Sequence, residues 1–315
     1  MDWTAGARSP QQAPRTFSWS RAAGHLGRIL LGLIFLAAGF LKGLDPVEFA
    51  HQIADYGLVG KHLSAVAAPA LIVFEIVLGI ALVAGVRPTL VGLASVLLLL
   101  VFMGIEAYGV FVGRTAACGC FGAYFQRTPA EVIGEDLLFL GLAVLAIGGL
   151  RGWAGTKPGP ALAVLLAAIV LSTVFVVASP SLPIDDFVTR LRAGRTVADL
   201  DLAARIPELQ KGRHLVALID VTDPHAAEVA SALDALASRP GAPAVLGLTP
   251  STEQEVDAFR WTVVPAFEIR SVDRDVIKRL YRKLPRFFVL DSGRVAAVYD
   301  GAPPAAVDLL SSGAS

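Results

Sequence analysis

The sequence predicts a five-span α-helical membrane bundle followed by a C-terminal α/β domain. Three observations carry this. Hydrophobic residues make up 55% of the 315 residues and charged residues 17%, with a mean hydropathy of +0.63; that balance is too apolar for an ordinary soluble chain. Five apolar runs lie between residues 26 and 178, each near the roughly 20 residues that a helical crossing needs. After residue 181 the charges return, and strand and helix periods alternate. The formal net charge is zero, so nothing in it points to nucleic acid.

Residues 1–25 are rich in Pro, Gln, Ser and Arg and read as a tail, unstructured before about Ser18. Leu26 to Leu44 is the first span, with Arg28 and Lys42 near its ends, where long side chains can snorkel. No small-residue cleavage site follows it, so it is expected to stay as a permanent helix. Residues 45–62 form a polar connection in which Phe49, Ile53 and Tyr56 are spaced like the apolar stripe of a short interfacial helix. Leu63 to Gly85 is the second span, interrupted by Pro69 and Glu75. Arg87-Pro88 makes a tight turn, and Thr89 to Ile105 is the third span, ending at Glu106 and Tyr108. Residues 109–130 are a polar interval that holds both cysteines. Glu135-Asp136 then opens a short fourth span that runs to Leu150. Either its entry lies in the headgroup region or its helix begins within the interval. Residues 151–160 are a Gly/Pro turn, and Ala161 to Ala178 is the fifth span.

Four parts follow: a tail (1–25), a four-span unit (26–150), a turn with the fifth span (151–180) and a soluble domain (181–315). Five spans put the termini on opposite sides. The tail, the 86–88 turn and the 151–160 turn carry Arg and Lys with almost no acids, so they are expected to be cytoplasmic. The 45–62 connection, the cysteine interval and the C-terminal domain then share the extracytoplasmic face of the inner (plasma) membrane, where disulfides persist.

In the soluble part, His214–Asp220, Ala244–Thr249, Arg286–Leu290 and Arg294–Tyr299 read as strands, the last two joined by Asp291-Ser292-Gly293. Helices are expected over Pro224–Ala237, Thr252–Trp261 and Val272–Lys283. The second of these has Ser251 or Thr252 as N-cap, and Glu255 completes a capping-box pattern with Thr252.

Cys118-Gly119-Cys120 is the candidate reactive pair. A Cys-x-Cys disulfide closes only a small ring, far from preferred geometry, and a strained, exposed disulfide is more oxidising than a structural one. Gly119 supplies backbone freedom, and Arg114 or Arg127 can favour a thiolate. The pair is read as a redox site exchanging thiol and disulfide with an exported partner. A static disulfide, two packing thiols, and a Zn or Cu(I) site drawing on His51 and His62 stay open as alternatives; no metal is assigned.

Glu75, a carboxylate near mid-bilayer, is functional by default. It is a candidate proton group beside a quinone, or a partner for Lys42 or Arg28; a structural salt bridge or hydrogen bond is the plainer alternative. Glu135 and Asp136 are expected to stabilise a helix N-terminus rather than relay protons. Tyr108 and Tyr124 read as interfacial aromatics. Asp223 reads as an N-cap with Pro224 as first helical residue. Arg282, Lys283 and Arg286 flank Pro285 and read as a solvated face or a dock for an acidic partner.

Three patterns resemble the DoxX/MauE group of small membrane proteins: Arg28-x3-Gly32-x2-Phe35-x3-Gly39-x2-Lys42-x2-Asp45-Pro46, Pro69-x5-Glu75-x3-Gly79 and Cys118-Gly119-Cys120-Phe121-Gly122. They cover about residues 26–150. The resemblance implies a four-helix membrane unit and, through the methylamine-utilisation member MauE, a part in disulfide formation in a partner protein. The C-terminal part resembles a thioredoxin-like domain. Leu284-Pro285, RFFVL, a short turn and RVAAVY are similar to the segment where thioredoxins carry a cis-proline before a strand hairpin. The departure is at Val221-Thr222-Asp223-Pro224-His225, which stands where a thioredoxin has Cys-x-x-Cys. That implies a docking domain rather than a dithiol enzyme.

The expectation is a membrane thiol–disulfide redox or maturation factor, with a quinone as candidate acceptor and an exported thiol or disulfide protein as partner. If the chain is an enzyme, its reaction is dithiol oxidation or disulfide reduction. The alternative is a non-enzymatic membrane scaffold whose cysteine-free domain holds a partner. A transporter has little support, since paired broken helices are missing from the pattern.

Overall fold

The computed structural model describes residues 19–113 and 128–305. Cys118 and Cys120, together with Arg114, Tyr124 and Arg127, lie outside the described residues. The described chain forms two compact units. One comprises residues 19–44, 53–113 and 128–177; the other comprises Asp45–Gln52 and residues 178–305.

The first unit is helical. Its helices are α1 (Trp19–Leu44), α3 (Lys61–Ala84), α4 (Pro88–Phe111), α5 (Pro129–Gly149) and α6 (Pro158–Ala178). Between the first two of these runs α2 (Pro46–Asp55), the short helix expected from the Phe49, Ile53, Tyr56 stripe. Among the described residues, five helices are long and apolar enough to cross a membrane. Three features of the spans differ from the sequence reading. α1 is already helical at Trp19, about two turns before the apolar run. α3 runs through Pro69 unbroken, as membrane helices tolerate. α5 starts at Pro129 behind Thr128, whose hydroxyl accepts from the Glu131 amide while the Glu131 carboxylate accepts from the Thr128 amide. This capping box starts the helix well before Glu135, so Glu135 and Asp136 do not form its N-terminus.

α1 packs against α3 and α5, and α4 packs against α5 and α3. Leu31, Phe35, Leu78, Leu82, Leu99 and Phe139 fill the space between them. The α1–α3 crossing is close because two glycines face each other: a Cβ on Gly79 would lie 2.7 Å from the Gly32 carbonyl oxygen. Small residues at such crossings let membrane helices approach backbone to backbone.

The second unit is built on a five-stranded mixed sheet. After the short α7 (Asp185–Val188), the elements are β1 (Arg213–Leu218), α8 (Ala226–Ala237), β2 (Ala244–Thr249), α9 (Glu253–Val263), β3 (Glu268–Ser271), α10 (Arg274–Ile277), β4 (Arg286–Asp291) and β5 (Arg294–Asp300). The sheet order is β3-β2-β1-β4-β5. β1 pairs parallel with β2 and β2 with β3, while β4 runs antiparallel to both β1 and β5. Both faces of the central strands are covered, so they read as continuous apolar runs rather than alternating ones. Leu215, Ala217, Phe287 and Val289 face α8 and α9, and Val216, Leu218, Phe288 and Leu290 face Leu191, Leu200 and Leu202 on the opposite side. The expected helix over Val272–Lys283 is instead a single turn, α10, followed by a 3-10 turn, and β3 precedes it. The Leu284–Pro285 peptide bond before β4 is cis.

Candidate functional site

In the first unit, four helices bring buried polar groups together. Lys42, near the end of α1, reaches Oε1 of Glu75 on α3 with its Nζ at 2.5 Å, and neither side chain is exposed. Gly39, one turn before Lys42, makes this contact available. A Cβ there would meet Ile76 Cγ1 at 2.7 Å and Glu75 Cβ at 3.3 Å, so the two helices touch at the level of the carboxylate. The same Nζ stands 4.8 Å from the centre of the Phe102 ring on α4, a cation–π contact. Asp136 on α5 is fully buried. Oε2 of Glu75 is buried with no hydrogen-bond partner among the described residues.

Glu106 lies one turn beyond Phe102 on α4 and is also buried. The Tyr56 hydroxyl donates to its Oε1 at 2.9 Å. A Cβ on Gly109 would lie 3.1 Å from the Tyr56 ring, so the aromatic fits because that position is glycine. Tyr56, which the sequence pattern places on an apolar stripe, thus also carries a polar tip. Arg28 is not a partner of Glu75. Its Nη1 donates to the carbonyl oxygens of Leu82 (2.5 Å) and Val83 (2.7 Å) at the C-terminal end of α3, and its guanidinium stands over the Trp153 ring. It caps a helix rather than snorkelling. Tyr108 is exposed in the last turn of α4.

The second unit has its own polar clusters. After β1, Oδ1 of Asp220 accepts from the Thr222 amide and hydroxyl and from the Ser251 hydroxyl. α8 starts at Ala226, two residues later than expected; Asp223 accepts from the His225 amide instead of capping the helix with Pro224 in its first position. The two arginines around Pro285 are not on a solvated face. Arg282 is buried and donates to the carbonyl oxygens of Ser179 and Leu182 and to the Asp185 carboxylate. Arg286 is fully buried, donating to Thr189 Oγ1 and the Leu280 carbonyl oxygen and pairing with Asp300. Lys283 between them is exposed; for Arg282 and Arg286 the fold supplies acceptors that the sequence does not show. At the start of α2, Asp45 pairs with Lys278 at 2.7 Å and Glu48 with Arg274 at 3.0 Å. The Lys278 ammonium also faces the Tyr281 ring. Burial, followed by the Glu48 carboxylate, pushes the Tyr281 phenol above its ordinary range. His51 and His62 are exposed.

The arrangement of Arg28, Gly32, Gly39, Lys42, Glu75 and Gly79 unites two of the sequence patterns in one helix crossing. Residues 20–151 match the family model described as Methylamine utilisation protein MauE. The MauE match runs from the first turn of α1 to just past α5, and it includes the Lys42–Glu75 pair, Asp136 and the stretch that carries Cys118 and Cys120. With five apolar helices, it marks the chain as a multi-pass membrane protein. α6 and the sheet unit lie beyond the MauE match. No curated protein and no solved structure matches the chain.

Proposed function

We propose that the chain is a membrane thiol–disulfide maturation factor, in which Cys118 and Cys120 exchange with an exported partner. The observation that carries this is the MauE match over residues 20–151, which contains both cysteines of the chain. The resemblance of the same region to the DoxX/MauE group, with its link to methylamine utilisation, points the same way. In the oxidising direction a partner thiolate attacks the Cys118–Cys120 disulfide to form a mixed disulfide. The partner's second thiolate then displaces it, leaving the partner oxidised and the pair reduced. Two electrons and two protons now rest on the pair, and passing them to a quinone gives a quinol and restores the disulfide. Glu75 is the proton group of this proposal.

The second unit is the docking element. Its strand order, with a parallel pair joined by a helix and an antiparallel pair after it, supports the thioredoxin-like reading. On that reading the stretch Val221-Thr222-Asp223-Pro224-His225 stands where a dithiol would be, and the hydrogen bonds that Asp220 makes to Thr222 and Ser251 beside it support docking without exchange and also the scaffold reading for this unit taken alone. Asp45–Gln52 groups with the residues after Val177, which supports one face for both. With the positive-inside pattern that face is extracytoplasmic, and the N-terminus is cytoplasmic.

The test is reduction of a soluble quinone by a dithiol peptide in vesicles containing the full chain. Wild type is expected to couple the two, and Cys118→Ser and Cys120→Ser each to abolish the coupling. Full activity in either variant overturns the redox reading and leaves the scaffold.

A further inference from the structure

Asp45-Pro46 closes the first of the sequence patterns, and the redox reaction makes no use of it. The opening of α2 belongs to the second unit, and there its two acids meet two cations. Arg274 opens α10 and Lys278 follows its end, one turn on. Lys278 Nζ lies 2.7 Å from Asp45 Oδ2 and 3.5 Å from Glu48 Oε2, and Arg274 Nη2 lies 3.0 Å from Glu48 Oε2. The paired residues stand 233 and 226 positions apart in the chain.

Each half of this cluster is also held without the other. Lys278 donates to the Arg282 carbonyl oxygen at 3.3 Å and stands 4.7 Å from the centre of the Tyr281 ring, so the ammonium keeps its place on the sheet side. Asp45 Oδ1 accepts from the Glu48 amide and caps α2, whose positive end favours both acids. Separation therefore returns each group to water with a local partner. It strands no charge in the interior, which is what makes a buried pair costly to break. The Arg274 side chain is 36% exposed while paired, and exposed pairs contribute little stability.

We propose that Arg274 and Lys278 form an acid-binding site on the second unit, which the chain fills with its own Asp45 and Glu48, and that an acidic segment of the exported partner enters by displacing them. The partner segment presents two carboxylates in the manner of a helix opening, because that is the chemistry the site already accepts. The internal acids act as a guard: the site is closed in the free protein and opens to a partner that brings the same charges. This deepens the reading of the second unit as the docking element and rests on it. It also relocates the basic dock. Arg282 and Arg286 are engaged by acceptors within residues 178–305, whereas Arg274 and Lys278 take carboxylates from outside that stretch.

Carbodiimide treatment of the full chain in detergent reads the contact, because Lys278 and Asp45 are close enough to be joined as an amide that mass spectrometry locates. Wild type is expected to form this link at low salt. A synthetic peptide of residues 45–55, at roughly millimolar concentration to rival a tethered group, should reduce the link several-fold; the same peptide carrying Asp45→Asn and Glu48→Gln should not. The full-length Asp45→Asn/Glu48→Gln variant lacks the guard, so it should bind labelled acidic peptide several-fold more tightly than wild type does, and adding Lys278→Met should abolish that gain. Absence of the link in wild type overturns the proposal. A link that the acidic peptide does not diminish also overturns it and leaves a fixed structural contact, as does equal binding of the peptide to wild type and to the unguarded variant. The wild-type competition decides where the variants do not fold. Neither readout uses the cysteines, so both can be scored in Cys118→Ser/Cys120→Ser, where failure of the redox reading leaves them unchanged.

Discussion

Lys42 on α1 and Glu75 on α3 are 2.5 Å apart with neither side chain exposed, so each is the other's main compensation for leaving water. Removing one partner of a buried pair strands the other, at a cost of about 3–5 kcal/mol, whereas replacing both with apolar residues of similar size is often near neutral. Lys42→Met and Glu75→Met are therefore expected to destabilise the bundle strongly one at a time and much less together. Detergent-micelle unfolding of the two single variants and the double variant checks this; additive losses would mean that the two residues act independently.

The Gly32–Gly79 approach predicts intolerance of bulk at that crossing. Gly79→Leu forces atoms against the Gly32 carbonyl oxygen and the Leu36 amide, and overpacking of this kind costs about 1–3 kcal/mol. At Gly104 on α4, a Cβ would have no neighbouring atom within 4 Å, so Gly104→Leu is expected to leave the melting temperature close to wild type. Thermal melts of both variants make the comparison.

Tyr281 predicts an alkaline limb. Burial raises its phenol above the ordinary value, so the folded state prefers the neutral form. Stability from this group is whole below about pH 10, the usual phenol value, and falls as the pH rises through and beyond it. Tyr281→Phe is expected to flatten that fall while leaving neutral-pH stability within a small margin. Circular-dichroism melts from pH 8 upward check the slope.

Arg282 ties three acceptors of the 179–185 segment to the sheet unit. Arg282→Met leaves the Asp185 carboxylate and two carbonyl oxygens without their donor and is expected to cost on the order of 3 kcal/mol. Arg282→Lys keeps the charge but loses the planar fork, so it should recover only part of the loss. Limited proteolysis at residues 179–190, compared across the three proteins, reads the effect locally.

The helical crossings are legible in the sequence because length and hydropathy alone decide them; α3 and α4 lie within a few residues of the expected spans, except that α4 continues to Phe111. That α5 begins within the polar interval is one of the two readings the short apolar run allows, but the Thr128–Glu131 capping box that sets the start sits in a stretch that looks like loop. With Glu135 and Asp136 read as the helix opening, Asp136 becomes a helix-end acid instead of a buried one. The Thr252–Glu255 box is legible because it precedes a clear helical period. Strand β3 gives little signal because its four residues, Glu268 to Ser271, carry two charges and pair on one side only. The choice of Lys42 over Arg28 for Glu75 needs the helix crossing, since both cations are on α1 and sequence spacing cannot tell which one points at α3. Arg282 and Arg286 show the same limit from the other side: Asp185 and Thr189, which accept from them, lie about a hundred residues away.

The central claim is that Cys118 and Cys120 form a labile disulfide on the extracytoplasmic face. A membrane-impermeant maleimide applied to intact cells, with and without mild reductant, tests it most directly. Labelling of both cysteines only after reduction is the predicted result. Labelling without reductant would show free thiols on that face, and no labelling even after reduction would put the pair out of reach of it; either outcome contradicts the redox reading.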